Sequence, residues 1–403
     1  MGKAAIEVAD IFRVHGPLYR EQHRLPVHQH KLMRAIEHCR TAALGGHVER
    51  CGHCKHQRIS YNSCRNRHCP KCQNLARAKW LEQRKGELLP VEYFHVVFTI
   101  PGTLHDLAFR NRAVFYNLLF QASAGALQSI ASDSKHLGAE IGFFSILHTW
   151  GQNLMFHPHI HSVVTGGGLS PCRKRWISTK PGFFLSVHVL SRRFRTLLLD
   201  ALLKAFEAGQ LTFHGPIETL ASPPAFKRWL QALFEIEWVV YAKPPFGGPQ
   251  QVLEYLGRYT HRVAIGNQRL LAFDSGRVTF QYKDYRHSGQ ERSKRMTLDA
   301  PEFIRRFLLH SLPPGLQRIR HYGILASSQK RTLLPLARHL LDATAHPLAP
   351  TRDELAQLAI VLAVVVQHDR ICPACRIGSM EVIEYLTALP PVPFILPKTF
   401  DSS

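Results

Sequence analysis

Residues 155–168 read MFHPHIHSVVTGGG, in which His159 and His161 flank one apolar residue, Ile160. On a β-strand alternate side chains share a face, so the two imidazoles point the same way. Two convergent imidazoles supply two thirds of a metal site that keeps open positions. A surface strand bearing two solvated histidines has the same pattern, so the pair gains meaning only from its surroundings. Upstream, FFSILHTW (143–150) reads as a strand and GQN as the turn into the histidine strand. Such a hairpin places His148, eleven residues before His159, beside the pair as a third ligand. Gln152 and His157 are alternatives for that position, and a core or turn-capping role is the plain reading of His148. Three imidazoles with open positions would hold a divalent ion able to polarise a phosphate oxygen. The strand is expected to end in a turn at Gly166, Gly167 and Gly168.

Composition favours a polyanionic partner. The 403 residues carry 51 Lys+Arg against 29 Asp+Glu, a net charge of +22, and neutralising phosphates with such an excess releases counterions. The chain is long for one core and suggests two or three domains. Its start, MGKAAIEVADIFRVHG, has no apolar signal-peptide core. The longest apolar run, LAQLAIVLAVVV (355–366), is too short for a bilayer and reads as a buried helix, with a strand at its end as an alternative. No membrane partner is therefore expected.

Five of the nine cysteines fall between positions 51 and 72, which points to metal binding rather than disulfides. Cys51-x2-Cys54 and Cys69-x2-Cys72 are two knuckles separated by fourteen residues. Each tight turn lets two thiolates share an ion, and two turns complete a zinc tetrahedron. Cys64, His68, His47 and His53 lie close enough to substitute, or to build a second site with Cys39. A closed four-ligand site is structural, so this region is assigned folding and DNA docking. Arg58, Arg65, Arg67 and Lys71 interleave with the ligands as phosphate-contacting cations, or form a solvated basic loop. Cys372-x2-Cys375 is half a knuckle, completed by His368 or another loop, or else a pair of idle thiols.

The remaining chain alternates helices and strands. Residues 1–46 and 103–131 carry helical periodicity, 74–89 reads as a basic helix, and YFHVVFTIP (93–101) as a strand. Residues 188–208 and 223–233 read as helices, and EIEWVVYAKPP (235–245) as a strand that brings Lys243 towards a phosphate. QQVLEYLGRYTHRVAI (250–265) forms a helix starting just past Pro249, with Tyr255 and Tyr259 on one face by their i, i+4 spacing. They flank Arg258 and precede His261 and Arg262. Tyrosines on an amphipathic helix usually sit in a core or at its rim. Two on one face among cations, downstream of a histidine strand, are better explained as nucleophiles that form a phosphotyrosine. RLLAFDSGRVTFQYKD (269–284) is a hairpin ending near Lys283. The following basic run, with Arg286, suits a nucleic-acid backbone. Residues 331–367 read as helical, and the proline-rich tail as disordered.

Four segments carry a family resemblance: CGHC…YNSCRNRHCPKC, LHTWGQNLMFHPHIHSVVTGGG, EYLGRYTHRVAI and EFIRRFLLHSLPPGLQRIRHYGIL. In that order, over most of residues 35–325, the chain resembles the two-tyrosine rolling-circle insertion-sequence transposases of the HUH endonuclease superfamily. The resemblance implies an α+β fold with an antiparallel five-stranded nuclease sheet flanked by helices. A small helical, zinc-ribbon-like domain precedes it and a helical C-terminal region follows. The corresponding division is 1–90 for zinc binding and DNA docking, 91–326 for the nuclease, and 327–403 for the C-terminal region. The resemblance makes His159 and His161 ligands of a catalytic Mg²⁺ or Mn²⁺, with His148 added by spacing, and Tyr255 and Tyr259 the two nucleophiles. It also implies structural Zn²⁺, single-stranded DNA at element ends and target as partner, and a place in the bacterial cytoplasm at the nucleoid. It does not indicate an oligomeric state. A plasmid-type replication initiator would share this chemistry, and a non-catalytic zinc-dependent nucleic-acid-binding protein is the alternative from another class.

Overall fold

The computed structural model describes residues 6–72, 80–81, 84, 86–243, 251–252, 264–284, 292–342 and 371–390. Most of the basic helix at 74–89, nearly all of the tyrosine helix, the apolar run 355–366 and most of the proline-rich tail lie outside the described residues. The helices are α1 (Val8–Gln22), α2 (Val27–Glu37), α3 (His105–Arg110), α4 (Arg112–Ser132), α5 (Val187–Glu207), α6 (Pro223–Glu235), α7 (Ala300–Leu309) and α8 (Lys330–Asp342). The strands are β1 (Gly46–Cys51), β2 (Gln57–Tyr61), β3 (Tyr93–Thr99), β4 (Glu140–Trp150), β5 (Phe156–Leu169), β6 (Trp176–Ser178), β7 (Val240–Lys243), β8 (Leu270–Asp274), β9 (Arg277–Lys283), β10 (Ser293–Asp299), β11 (Ile319–Gly323) and β12 (Met380–Leu386). Two compact units cut across this linear order. One comprises Met1–Ala76, Ile265–Ser311 and Ala349–Ser403, the other Arg77–Ala264 and Leu312–Leu348.

The second unit is built on an antiparallel sheet of order β11-β4-β5-β3-β7, with the short β6 added beside β5. The histidine stretch forms the central strand of this five-strand path. Alternation decides what each face does. Phe94, Val96 and Phe98 of β3, Phe143 and Leu147 of β4, and Ile160 and Val164 of β5 enter one cluster with α4 and α5. Phe98 meets Phe194 of α5 at a ring-centroid distance of 5.0 Å. The opposite face carries Tyr93, Phe144, Ile146 and Val163, which cluster with Leu333, Leu334 and Ala337 of α8 and with Val252. Both faces are covered, so the central strands read as nearly continuous apolar runs rather than clean alternations.

The glycine run differs from expectation. Gly166, Gly167 and Gly168 do not end the strand in a turn; β5 runs through them to Leu169. The reason is crowding between neighbouring chains. A Cβ on Gly166 would stand 2.8 Å from the Glu92 carbonyl oxygen, and one on Gly168 would collide with the Glu140 carbonyl. Gly167 adopts φ +146, and a Cβ there would lie 2.6 Å from the Ile177 carbonyl oxygen. Glycine is what lets three backbones close up at this end of the sheet.

The first unit contains two three-stranded sheets, β12-β1-β2 and β10-β9-β8. Phe12 of α1 packs edge-on against Phe307 of α7 at 5.3 Å. The Gln29 side-chain amide donates to the Leu308 carbonyl at 3.2 Å and to Ser311 Oγ at 3.0 Å. The segment after the tyrosine helix is thus packed with the N-terminal helices. Strand β12 is absent from the expectations above, which place helices, a Cys-x2-Cys pair and a disordered tail in the C-terminal region. MEVIEYL pairs antiparallel with β1, Gly46 opposite Leu386 and Cys51 opposite Met380, with a bulge between Val48 and Glu49. Among the described residues no helix is long and apolar enough to cross a membrane.

Candidate metal centre

Register brings three histidines together. In the β4–β5 pair His148 stands directly opposite His159, and Ile146 opposite His161. Directly paired residues share a face, and His161 lies two positions along from His159. His148, His159 and His161 therefore extend the apolar row of Phe144, Ile146 and Val163 towards one end of the sheet. Ring centroids are 5.6 Å apart for His148–His159, 4.5 Å for His148–His161 and 4.8 Å for His159–His161. One ring nitrogen from each lies within 4.8 Å of the other two. His148 and His161 are buried and His159 is half-buried, so the trio opens on the His159 side.

Neighbouring groups orient the rings. His159 Nδ1 lies 2.7 Å from the His157 carbonyl oxygen, which can only accept; Nδ1 therefore carries the proton and Nε2 keeps its lone pair. His161 Nδ1 lies 2.8 Å from His95 Nε2, the two rings parallel with an interplanar angle of 5°. His95 is buried, and burial pushes its pKa down to about 3, with the positive charges of Lys243 and His159 adding to the effect. One of these two nitrogens donates to the other, and His161 can ligate through Nε2 when its Nδ1 carries the proton and His95 accepts at Nε2. This is the arrangement in which second partners commonly set the tautomer of a ligating histidine. A donor set of three imidazoles with open positions fits a divalent ion.

His95 is the residue that sequence reasoning missed. It sits in YFHVVFT, in phase with Tyr93 and Val97, but nothing local says which face meets the histidine strand. Its β3 neighbours supply the answer: Val97 pairs with His161 and Thr99 with His159. On the other side of β3, Lys243 pairs with His95 and is exposed, placing a cation beside the trio. His157 is not in the three-ligand group: its ring stands 5.2 Å from that of His159 and edge-on to His105 at 5.4 Å, with its pKa lowered by burial. Gln152 lies half-buried in the connecting turn. Tyr255, Tyr259, Arg258, His261, Arg262 and Arg286 lie outside the described residues. Val252, three positions before Tyr255, is described, and it is fully buried in the cluster on the histidine face of the sheet.

The cysteines regroup. Cys51, Cys54, Cys69 and Cys72 do not form one tetrahedron. Cys69 and Cys72 join Cys39 and Cys64, while Cys51 and Cys54 face Cys372 and Cys375. In the first group, Cys39 Sγ and Cys64 Sγ each lie 3.5 Å from Cys72 Sγ. Four thiolates around zinc at about 2.3 Å stand about 3.8 Å apart, so this set fits the ion. Spacing alone could not separate the two knuckles, because the strand pair β1–β2 intervenes and carries Cys51 and Cys54 away. His68 is not in the thiol group; its backbone N–H donates to Asn66 Oδ1 at 2.9 Å. Of the cations expected on DNA, Arg65 is exposed with φ 53, Arg67 is half-buried, and Lys71 pairs with Glu7 at 2.6 Å. Lys283 is exposed at the end of β9, opposite Ser293.

Residues 142–332 match the family described as "Putative transposase", and residues 11–100 the family described as "Transposase zinc-binding domain". Among curated proteins, the chain is 54% identical over 385 residues to "Putative transposase y4qJ" of Sinorhizobium fredii, covering 95% of this chain and 96% of that one. It is 31% identical over 302 residues to the "Transposase for insertion sequence element IS801" of Pseudomonas savastanoi pv. phaseolicola, covering 74% of this chain and 70% of the relative. No solved structure gives a significant match. The chain belongs to this family of insertion-sequence transposases, and its N-terminal region is the family's zinc-binding domain.

Proposed function

We propose that this transposase cleaves and rejoins single-stranded DNA at the ends of its element through 5′-phosphotyrosine intermediates. The observation that carries the reading is the three-histidine face, where one ring nitrogen each of His148, His159 and His161 lies within 4.8 Å of the other two. Buried Val252 on the same face supports bringing the Tyr255 helix to it. His148, His159 and His161 would hold the cation, Mg²⁺ or Mn²⁺, and imidazole donors favour Mn²⁺. A cation held there would supply Lewis-acid polarisation of the scissile phosphate. The phenol oxygen of Tyr255 or Tyr259 attacks phosphorus and the P–O3′ bond breaks. The leaving oxygen takes up a proton as the 3′-OH, and the 5′ phosphate stays on the tyrosine. A 3′-OH of another strand end later attacks that phosphorus and releases the phenol, which reseals DNA without an external energy source. Lys243, beside His95, and Arg258 offset charge as the transition state forms. Arg65, Arg67, Lys71, His261, Arg262, Lys283 and Arg286 are the proposed DNA contacts, and the bacterial cytoplasm at the nucleoid is the proposed place of action.

The test uses the purified chain, a terminal-sequence oligonucleotide labelled at its 3′ end, and Mn²⁺. A labelled band that migrates with the protein under denaturing conditions is expected, because the fragment 3′ to the cut stays attached. Absence of any such band across both element ends and both strands, with DNA binding intact, would sink the reading.

His95 gives a finer prediction. His95→Phe is expected to raise the Mn²⁺ concentration for half-maximal adduct formation about 10- to 100-fold, the usual cost of losing a group that orients a ligating histidine. His95→Gln, whose amide oxygen can accept the same hydrogen bond, is expected to recover most of it. An Mn²⁺ dependence unchanged in His95→Phe would remove His95 from the site.

A further inference from the structure

Eight of the nine cysteines fall into two groups of four, and only one group lies within the matched zinc-binding stretch at residues 11–100. The other is assembled from two Cys-x2-Cys turns at opposite ends of the chain. Cys51 Sγ lies 3.8 Å from Cys375 Sγ, and Cys54 Sγ lies 3.5 Å from Cys372 Sγ, across sequence separations of 324 and 318. All four sulfurs lie within 4.8 Å of one another. These separations suit thiolates sharing a tetrahedral zinc, about 3.8 Å apart, and far exceed the roughly 2.05 Å of a disulfide.

The two turns are built alike. The residue after each second cysteine, Lys55 and Arg376, is left-handed, with φ 62 and 58. Its N–H returns to the carbonyl of the first cysteine, Lys55 to Cys51 at 3.1 Å and Arg376 to Cys372 at 2.9 Å. Backbone N–H groups also point at sulfur: Cys54 N–H to Cys51 Sγ and Gly378 N–H to Cys375 Sγ, each at 3.4 Å. Such donors stabilise thiolates over thiols. Gly378 permits the approach, since a Cβ there would stand 2.5 Å from Cys51 Sγ and 2.6 Å from His53 Cβ.

We propose that Cys51, Cys54, Cys372 and Cys375 hold a second structural zinc ion, which clasps the C-terminal strand β12 onto β1. Half of this site lies outside the family's zinc-binding stretch, so the N-terminal region cannot complete it alone. The ion closes a loop of more than three hundred residues, the kind of cross-link that most restricts the unfolded chain. The second site fills only once the C-terminal knuckle has been synthesised and β12 has docked.

The test uses the full chain as purified under reducing conditions. Atomic emission spectrometry is expected to find two zinc ions per chain. Iodoacetamide followed by peptide mass spectrometry is expected to modify Cys172, the exposed cysteine outside both groups, and to leave the other eight protected until a strong chelator is added. Cys54 is itself exposed, so its protection reports the metal rather than burial. Cys372→Ser with Cys375→Ser is expected to leave one zinc and to make Cys54 react as fast as Cys172, with Cys39 and Cys64 still protected. One zinc in the unsubstituted chain would overturn the proposal. So would Cys54, Cys372 and Cys375 reacting alongside Cys172. Should the double variant aggregate, zinc content and the alkylation pattern of the unsubstituted chain decide alone.

Discussion

Tyr255→Phe combined with Tyr259→Phe is expected to abolish the covalent protein–DNA adduct while leaving single-stranded DNA binding within a few-fold of the unsubstituted chain. The change removes two oxygen atoms and keeps both rings, so packing and charge are preserved. What disappears is the only group in the scheme able to attack phosphorus and stay attached. A phenol has an ordinary pKa of about 10, so attack near neutral pH depends on a polarised phosphate and surrounding cations. The loss is expected to exceed about 10³-fold in adduct yield, since no second nucleophile takes the place of the phenols. Each single substitution leaves one phenol and so should still give an adduct, but should fail to join two ends, because the alternation of tyrosines is broken. A denaturing gel reads the adduct, and a strand-joining assay with two labelled ends reads the alternation. Undiminished adduct in the double variant would move the nucleophile elsewhere and leave the histidine face without its proposed partner.

What the sequence discloses about this site depends on how local the relevant information is. His159 and His161 are legible because a strand's two-residue period is a property of adjacent residues. His148 is legible through the hairpin, whose short turn fixes a register within a few positions. His95 is not, because its contact with His161 depends on β3 lying beside β5, and the strands are more than sixty residues apart. The cysteines fail in the same way. A Cys-x2-Cys turn announces metal binding but not its partner, and the partner of Cys51 and Cys54 lies more than three hundred residues downstream. The glycines at 166–168 mislead for the opposite reason. Local rules read three glycines as a turn, whereas here they serve the contacts of other chain segments, Glu92, Glu140 and Ile177. MEVIEYL is a strand whose pairing with β1 is non-local, and only Cys372 and Cys375 hinted that this region returns to the N-terminus.

The histidine face separates binding from chemistry more sharply than any other element. His159→Ala with His161→Asn is expected to lower cleavage by about 10³-fold or more. The basis is the several kcal/mol that a polarising cation contributes to a phosphoryl transition state, at roughly 1.36 kcal/mol per factor of ten. Asparagine is chosen at position 161 because that side chain is buried between His95 and His148, and an alanine would leave a cavity and an unmatched His95 Nε2. Alanine suffices at half-buried His159. Binding of the same oligonucleotide should change little, because affinity comes from Arg and Lys contacts to phosphate and should keep its steep salt dependence. Acidification should separate the two properties similarly. A protonated imidazole cannot ligate, so cleavage should fall as the histidines take up protons. Binding through arginine and lysine persists or strengthens over the same range. Raising Mn²⁺ should partly restore cleavage to a His148→Ala variant, which keeps two ligands, but not to the double variant, which keeps one. Parallel loss of binding and cleavage in the double variant, with both zinc sites intact, would instead assign these histidines to holding the sheet together.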